Sequence, residues 1–240
     1  MKKTLIVTAI LVGAVSAYSQ GTVAFQMVNG SVFGQQIFNV STANNTTVTY
    51  DGVTVLEEQG SDSGGAVAPG SKENPTGSSV YSGAGLTGSG FSAQMLGAAG
   101  AGDALSTLLP LTSSTGTGIL NFYTATAFVG FVSGSQTDPI PNTSSTVNTP
   151  STIAIAAWVN SGGLGAATSL ATAIADGYDW GISELETINA AGGSPPPTPT
   201  GLQAGEPDNL TFSLGVPIPE PSTIALGVMG VSALLFRRRK

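Results

Sequence analysis

The 240-residue chain contains no cysteine and no histidine. Without cysteine there are no disulfides, no thiolate nucleophile and no cysteine-based zinc site. Without histidine the commonest general base is missing, and the Ser-His-Asp triad with it. The middle of the chain must therefore be held by its apolar core, and about 200 residues suffice for one. Basic residues are equally scarce. From Gly21 to Glu220 fourteen acids accompany one base, Lys72, leaving a formal charge of −13. Such a surface disfavours nucleic acid and anionic membranes as partners. Its plain consequence is solubility, with divalent cations or cationic polymers as the alternative reading. Glu, Lys and Arg are few, while Gly, Ser, Thr, Ala and Asn abound. That mix disfavours long helices and favours strands joined by turns.

The apolar clusters agree. Gly21 to Val28 has strand character, Asn29-Gly30 is a turn signal, and Ser31 to Val40 reads as the returning strand. Thr46 to Tyr50, Asp51-Gly52 and Val53 to Leu56 form a second hairpin pattern, with a two-residue turn between alternating runs. Residues 57–79 are rich in Gly, Ser and Asp and read as a long exposed loop. Phe91 to Leu96 alternates as a core strand, Gly97 to Gly102 reads as a turn, and Asp103 to Leu109 as one helical turn. Gly118 to Ser133 holds two strands or one bent strand, and Asp138 to Pro150 reads as a loop. Thr152 to Val159 is the clearest buried strand, a short apolar run flanked by turns. A short helix is expected around 168–175, and strands at Tyr178 to Ser183 and Leu210 to Leu214. Residues 194–207 begin with a polyproline-prone segment and read as a linker. Eight to ten strands in this pattern predict an all-β body, an antiparallel β-sandwich or jelly roll over residues 20–215.

Both ends differ from the middle. Met1-Lys2-Lys3 is a basic start, Thr4 to Val15 an apolar run, and Ala17 and Ser19 are small candidate cleavage positions. Residues 1–19 therefore read as a secretory signal peptide forming a signal helix. At the other end Pro217, Pro219 and Pro221 alternate, which predicts a stiff extended handle whose charge is Glu220 alone. Ile224 to Phe236 then carries no charge over 13 residues, and Arg237-Arg238-Arg239-Lys240 follow. Such a helix is roughly 20 Å long, short of the about 20 residues a bilayer span needs. Counting it over 222–236 and letting the arginines snorkel recovers part of the deficit. The cations at 237–240 then act as a membrane stop on the cytoplasmic side. The alternative is a terminal core helix with a basic end.

The segment 216–240, with Pro219-Glu220-Pro221, the apolar run and the basic cluster in that order, closely resembles the PEP-CTERM sorting signal of exported gram-negative bacterial proteins. The Ile218-Pro219 insertion before the Glu-Pro pair is a departure from that pattern. The resemblance implies recognition of Pro219, Glu220 and Pro221 by a membrane-embedded exosortase and removal of the tail. It implies export through the secretion translocon, transient anchoring in the inner membrane, and then a cell-surface or extracellular location. The body is also similar in layout to uncharacterised PEP-CTERM proteins, through Gly21-Thr-Val-Ala-Phe25, Ala93-Gln94-Met95 and the Trp-bearing strand Ile153 to Trp158. That similarity brings no known activity.

Three candidate chemistries remain. Asp176, Asp179 and Trp180, with Tyr178, Glu184 and Glu186, form the densest acidic-aromatic cluster. It reads as a calcium site or a sugar face with Trp180 as stacking platform, or as a polar loop at a strand end with one buried Trp. It lacks the Asp-x-Asp-x-Asp-Gly spacing. Glu57-Glu58 with Asp62 is a candidate carboxylate pair for glycoside hydrolysis, or a solvated loop. Gly83 to Gly90 is glycine-rich without the Lys-Ser/Thr ending of a phosphate loop. The expectation is a non-enzymatic envelope or matrix protein without cofactor or metal. The alternative is a carbohydrate-binding β-sandwich module associated with extracellular polysaccharide. A carboxylate-only hydrolase is the third reading.

Overall fold

The computed structural model describes residues 20–29, 32–33, 36–41, 46–60, 78–113, 116–144, 149–162, 165–191, 200–201 and 210–218. The expected signal peptide, the Asn29-Gly30 turn glycine, Asp62, most of the 194–207 linker and the motif from Pro219 onward lie outside them. Eighteen short strands occur among the described residues. They begin with β1 (Thr22–Phe25), β2 (Val28–Asn29), β3 (Val32–Phe33), β4 (Ile37–Phe38), β5 (Thr46–Tyr50) and β6 (Val53–Glu57). The middle group is β7 (Phe91–Ala99), β8 (Leu109–Pro110), β9 (Ile119–Asn121), β10 (Gln136–Pro139), β11 (Thr149–Val159), β12 (Ser161–Gly162) and β13 (Gly165–Ala166). Helix α1 (Leu170–Ala175) precedes β14 (Trp180–Ile182), β15 (Glu186–Ala190), β16 (Thr200–Gly201), β17 (Phe212–Ser213) and β18 (Val216–Pro217). Among the described residues the fold is all-β apart from α1 and two 3-10 turns at Leu105–Thr107 and Thr126–Phe128. Among the described residues no helix is long and apolar enough to cross a membrane.

The body is built on β7 and β11, which pair antiparallel over nine residues from Phe91–Val159 to Ala99–Ser151. β14 and β15 share the outer edge of β11, and β8 and β9 that of β7. Side chains alternate across a strand, so this sheet has two apolar faces. Met95, Ile153 and Ile155 enter one core with Phe25, Phe131 and Phe212. Leu96, Ala154, Ala156 and Trp158 enter the other with Val48, Val55, Trp180 and Ile182. A strand buried on both faces reads as a continuous apolar run, which is why 152–159 is so legible. The alanines at 154 and 156 leave room for α1, whose Leu170, Ala173 and Ile174 pack there. Each large side chain so buried contributes about 1.5–3 kcal/mol, which lets a chain without disulfides fold.

Local signals were fulfilled where they were complete. Asp51 and Gly52 both have positive φ, 49° and 78°, and join β5 to β6 with Tyr50 opposite Val53. Ser169 caps α1, its Oγ accepting from the Thr172 N–H at 3.1 Å. Other expectations need correction. β1 does not pair with the chain that follows it; its partners are β10, antiparallel, and β16, parallel. β2 and β3 alone form the short hairpin there. β7 runs through Gly97 to Ala99, where a turn was expected, because β8 and β11 hydrogen-bond that segment. β10 occupies the start of the expected 138–150 loop, and Thr200–Gly201 pairs within the expected linker. β4 and β17 are also parallel, so the body is not purely antiparallel.

Candidate functional site

The described chain ends beside the predicted sorting motif. β18 pairs antiparallel with β6, Val216 opposite Leu56 and Pro217 opposite Val55. The Ile218 N–H donates to the Thr54 carbonyl at 2.8 Å. β5, β6 and β18 thus form a small sheet whose last strand delivers the chain to Pro219. Gly215 makes this approach achievable, since a Cβ there would stand 2.8 Å from the Leu56 carbonyl oxygen. Pro219, Glu220, Pro221 and the cluster Arg237 to Lys240 lie outside the described residues.

The carboxylates of Glu57 and Glu58 are buried, not displayed on a solvated loop. Glu57 Oε2 accepts from the Ile182 N–H at 3.0 Å, and Oε1 accepts from Gln59 Nε2 at 2.9 Å. Burial raises the Glu57 pKa well above the usual carboxylate range, and these two hydrogen bonds oppose the rise. Glu58 accepts from the Ser41 hydroxyl at 2.6 Å and from the Val80 N–H at 3.2 Å. The two acids have different partners, as adjacent positions on an extended segment dictate. Each fastens β6 or its continuation to a different neighbour. Sequence reasoning took the polar residues after Leu56 as loop because donors 125 positions away are invisible to a local window.

The acidic-aromatic stretch is dispersed. Trp180 is fully buried in the second core, so its indole offers no stacking face. Asp176 is exposed as the residue capping the C-terminus of α1. Asp179 is half-buried, its carbonyl accepting from the Val159 N–H, and burial raises its pKa. Among the described residues no group of three or more acidic side chains converges on a metal-sized site.

The feature that local reasoning missed is a cleft of about 750 Å³ at the end of the β5–β6 hairpin. Leu108, Leu109, Pro110, Ile119 and Leu170 form its apolar part, and Gln94 lies in its lining. The Gln94 amide donates to the carbonyls of Leu111 and Thr117 at 3.0 and 3.2 Å, tying down the loop that forms one wall. Tyr50 and the hydroxyl residues Ser106, Thr112, Thr117 and Thr168 supply its polar groups, and Asp51 its one charge. Burial, and then the Asp51 carboxylate, push the Tyr50 pKa up, so its phenol stays protonated and able to donate. No residue range in the sequence unites these groups, which come from five separate segments. No known protein family, curated protein or solved structure matches the chain.

Proposed function

We propose that the chain is an exported cell-envelope or extracellular-matrix protein without enzymatic activity of its own, sorted through residues 216–240. The observation that carries this is the order of parts at the chain's end: Pro219-Glu220-Pro221, the apolar run to Phe236, then four consecutive cations. An apolar segment read this way stops at the bilayer, and the cations hold it from the cytoplasmic side. The pinning of β18 to β6 is in keeping with it, since it fixes the chain as far as Ile218, the residue before the motif. In this reading the body is a β-sandwich-like cargo, its two cores lying on opposite faces of the β7–β11 sheet. The translocon exports it, the inner membrane holds it transiently, and an exosortase releases it. Fractionation of cells that carry or lack the exosortase, with intact-mass measurement, tests the proposal. The expected result is an exported product lacking its tail in the first and a membrane-bound longer form in the second. Identical mass and identical fraction in both refute it.

A second reading, a carbohydrate-binding module, is favoured by the cleft beside Tyr50. One ring, several hydroxyls, an apolar wall and no cation suit a neutral sugar better than an anion. Calorimetric titration with neutral oligosaccharides tests it: binding lost on Tyr50→Ala supports the reading, and no heat with any of them removes it.

A further inference from the structure

The outer face of the β5–β6–β18 sheet is apolar where the chain leaves it. Val216 and Leu56, direct cross-strand partners, are 51% and 43% exposed, and Ile218 is 42% exposed. Alternation puts all three on one face, together with Thr47, Thr49 and Thr54. None of the six is charged, on a body that otherwise carries fourteen acids. Single exposed aliphatics need no explanation; the position of these three does.

Ile218 is fixed by its hydrogen bond to Thr54, and the motif begins with the next residue. Consecutive Cα atoms stand about 3.8 Å apart, so Glu220 lies at most about 8 Å from Ile218 along the chain. A single helix is about 10 Å across. A protein groove that takes Pro219-Glu220-Pro221 therefore reaches to within about one helix width of Ile218. We infer that Leu56, Val216 and Ile218 form a docking surface for the membrane enzyme that cuts the tail. The inference rests on the sorting reading above. A bilayer suits the face poorly, because it carries no Lys, Arg, Trp or Tyr to anchor at a headgroup layer. A second copy suits it poorly as well, since two bodies of charge −13 repel.

The test is pulse-labelling of the full chain in cells that carry the enzyme, followed by intact mass over time. A triple variant, Leu56→Ser, Val216→Ser and Ile218→Ser, leaves residues 219–240 untouched. Leu56→Asp alone perturbs the face at a position 163 residues before the motif, so it separates docking from motif recognition. Both are expected to slow cutting roughly tenfold or more, with thermal transitions of the purified chains unchanged within a few degrees. If the triple variant does not fold, Leu56→Asp decides. Cutting of Leu56→Asp at the parental rate overturns the inference while leaving the sorting reading intact. Failure of the parental chain to be cut at all overturns the sorting reading itself. Slowed cutting accompanied by lost binding of the variant to phosphatidylglycerol vesicles without enzyme assigns the face to the bilayer and overturns the docking inference too.

Discussion

Trp158 and Trp180 are direct partners across the β11–β14 ladder, and neither exposes any surface. Both lie in the second core, on the face shared with Leu96 and α1. Their polar ends differ. Trp158 Nε1 donates to the Ala167 carbonyl at 3.0 Å, whereas Trp180 Nε1 has no hydrogen-bond partner.

This asymmetry predicts unequal costs for removing the two indoles. Trp158→Phe leaves the buried Ala167 carbonyl without its donor, whereas Trp180→Phe removes an unpaired N–H along with ring volume. Trp158→Phe should be the more destabilising by about 1 kcal/mol, read from urea unfolding midpoints. Either residue changed to alanine should cost about 3–5 kcal/mol. Tryptophan emission of the parental chain should be blue-shifted, resist iodide quenching and stay unchanged when oligosaccharides are added.

Asp138 predicts an unusual pH profile. It is fully buried beside Val23, its Oδ1 has no partner and its Oδ2 accepts only a long hydrogen bond, 3.3 Å, from Gln136. Burial raises its pKa from 3.8 to about 6. The native state therefore holds this proton more tightly than the unfolded chain does. Stability associated with it is full below pH 3.8 and is lost as pH rises through about 6, a change of roughly 3 kcal/mol at most. Glu57 and Asp179, also raised by burial, act in the same direction. The body should be more stable to urea near pH 5 than near pH 8. Asp138→Asn should stabilise it at pH 8 and flatten the profile; an unchanged slope would count against a buried charge at this position.

Two glycines predict different failures. At Gly181 in β14 an added Cβ would stand 2.5 Å from the Ser213 carbonyl oxygen and 2.7 Å from Glu57 Oε2. Gly181→Ala must push apart β6, β14 and β17, and should cost about 3 kcal/mol or more, in the range of overpacked cores.

At Gly52 a Cβ would meet nothing within 4 Å, but φ is +78°. Gly52→Ala should cost only about 1–2 kcal/mol, the strain of a left-handed residue. Asp51→Asn, which keeps the turn chemistry, should be near neutral. Equal losses at 52 and 181 in chemical denaturation would remove the distinction between backbone strain and steric exclusion.

Several parts of the fold were legible because their cause is local. The Asp51-Gly52 turn needs only two residues that tolerate positive φ between alternating runs. The buried strand at Thr152 to Val159 declares itself by apolar residues on both of its faces. The short helix expected around 168–175 is α1, and the structure adds its cap, Ser169, whose hydroxyl receives the Thr172 N–H. Of the two readings of Trp180, the structure favours the buried one: acids surround it in sequence, yet its ring lies in the second core with Trp158 as its cross-strand neighbour. The cleft was invisible because Tyr50, Gln94, Leu109 and Thr168 come together only after the hairpin, the central sheet and the helix have docked.

The amino-acid sequence alone determined that no thiol or imidazole chemistry is available, that the middle is acidic and strand-forming, and that an alternating proline motif, an apolar run and four cations stand in order at its end. These depend on composition and on neighbours a few residues apart. Only the tertiary structure decided that β1 pairs with β10, that Glu57 is buried against Ile182, and that Leu56 lies beside Val216 at the root of the tail. Hydrogen-bond partners and burial are properties of segments as much as 155 residues apart and more, and a chain fixes them only by packing both faces of one sheet at once.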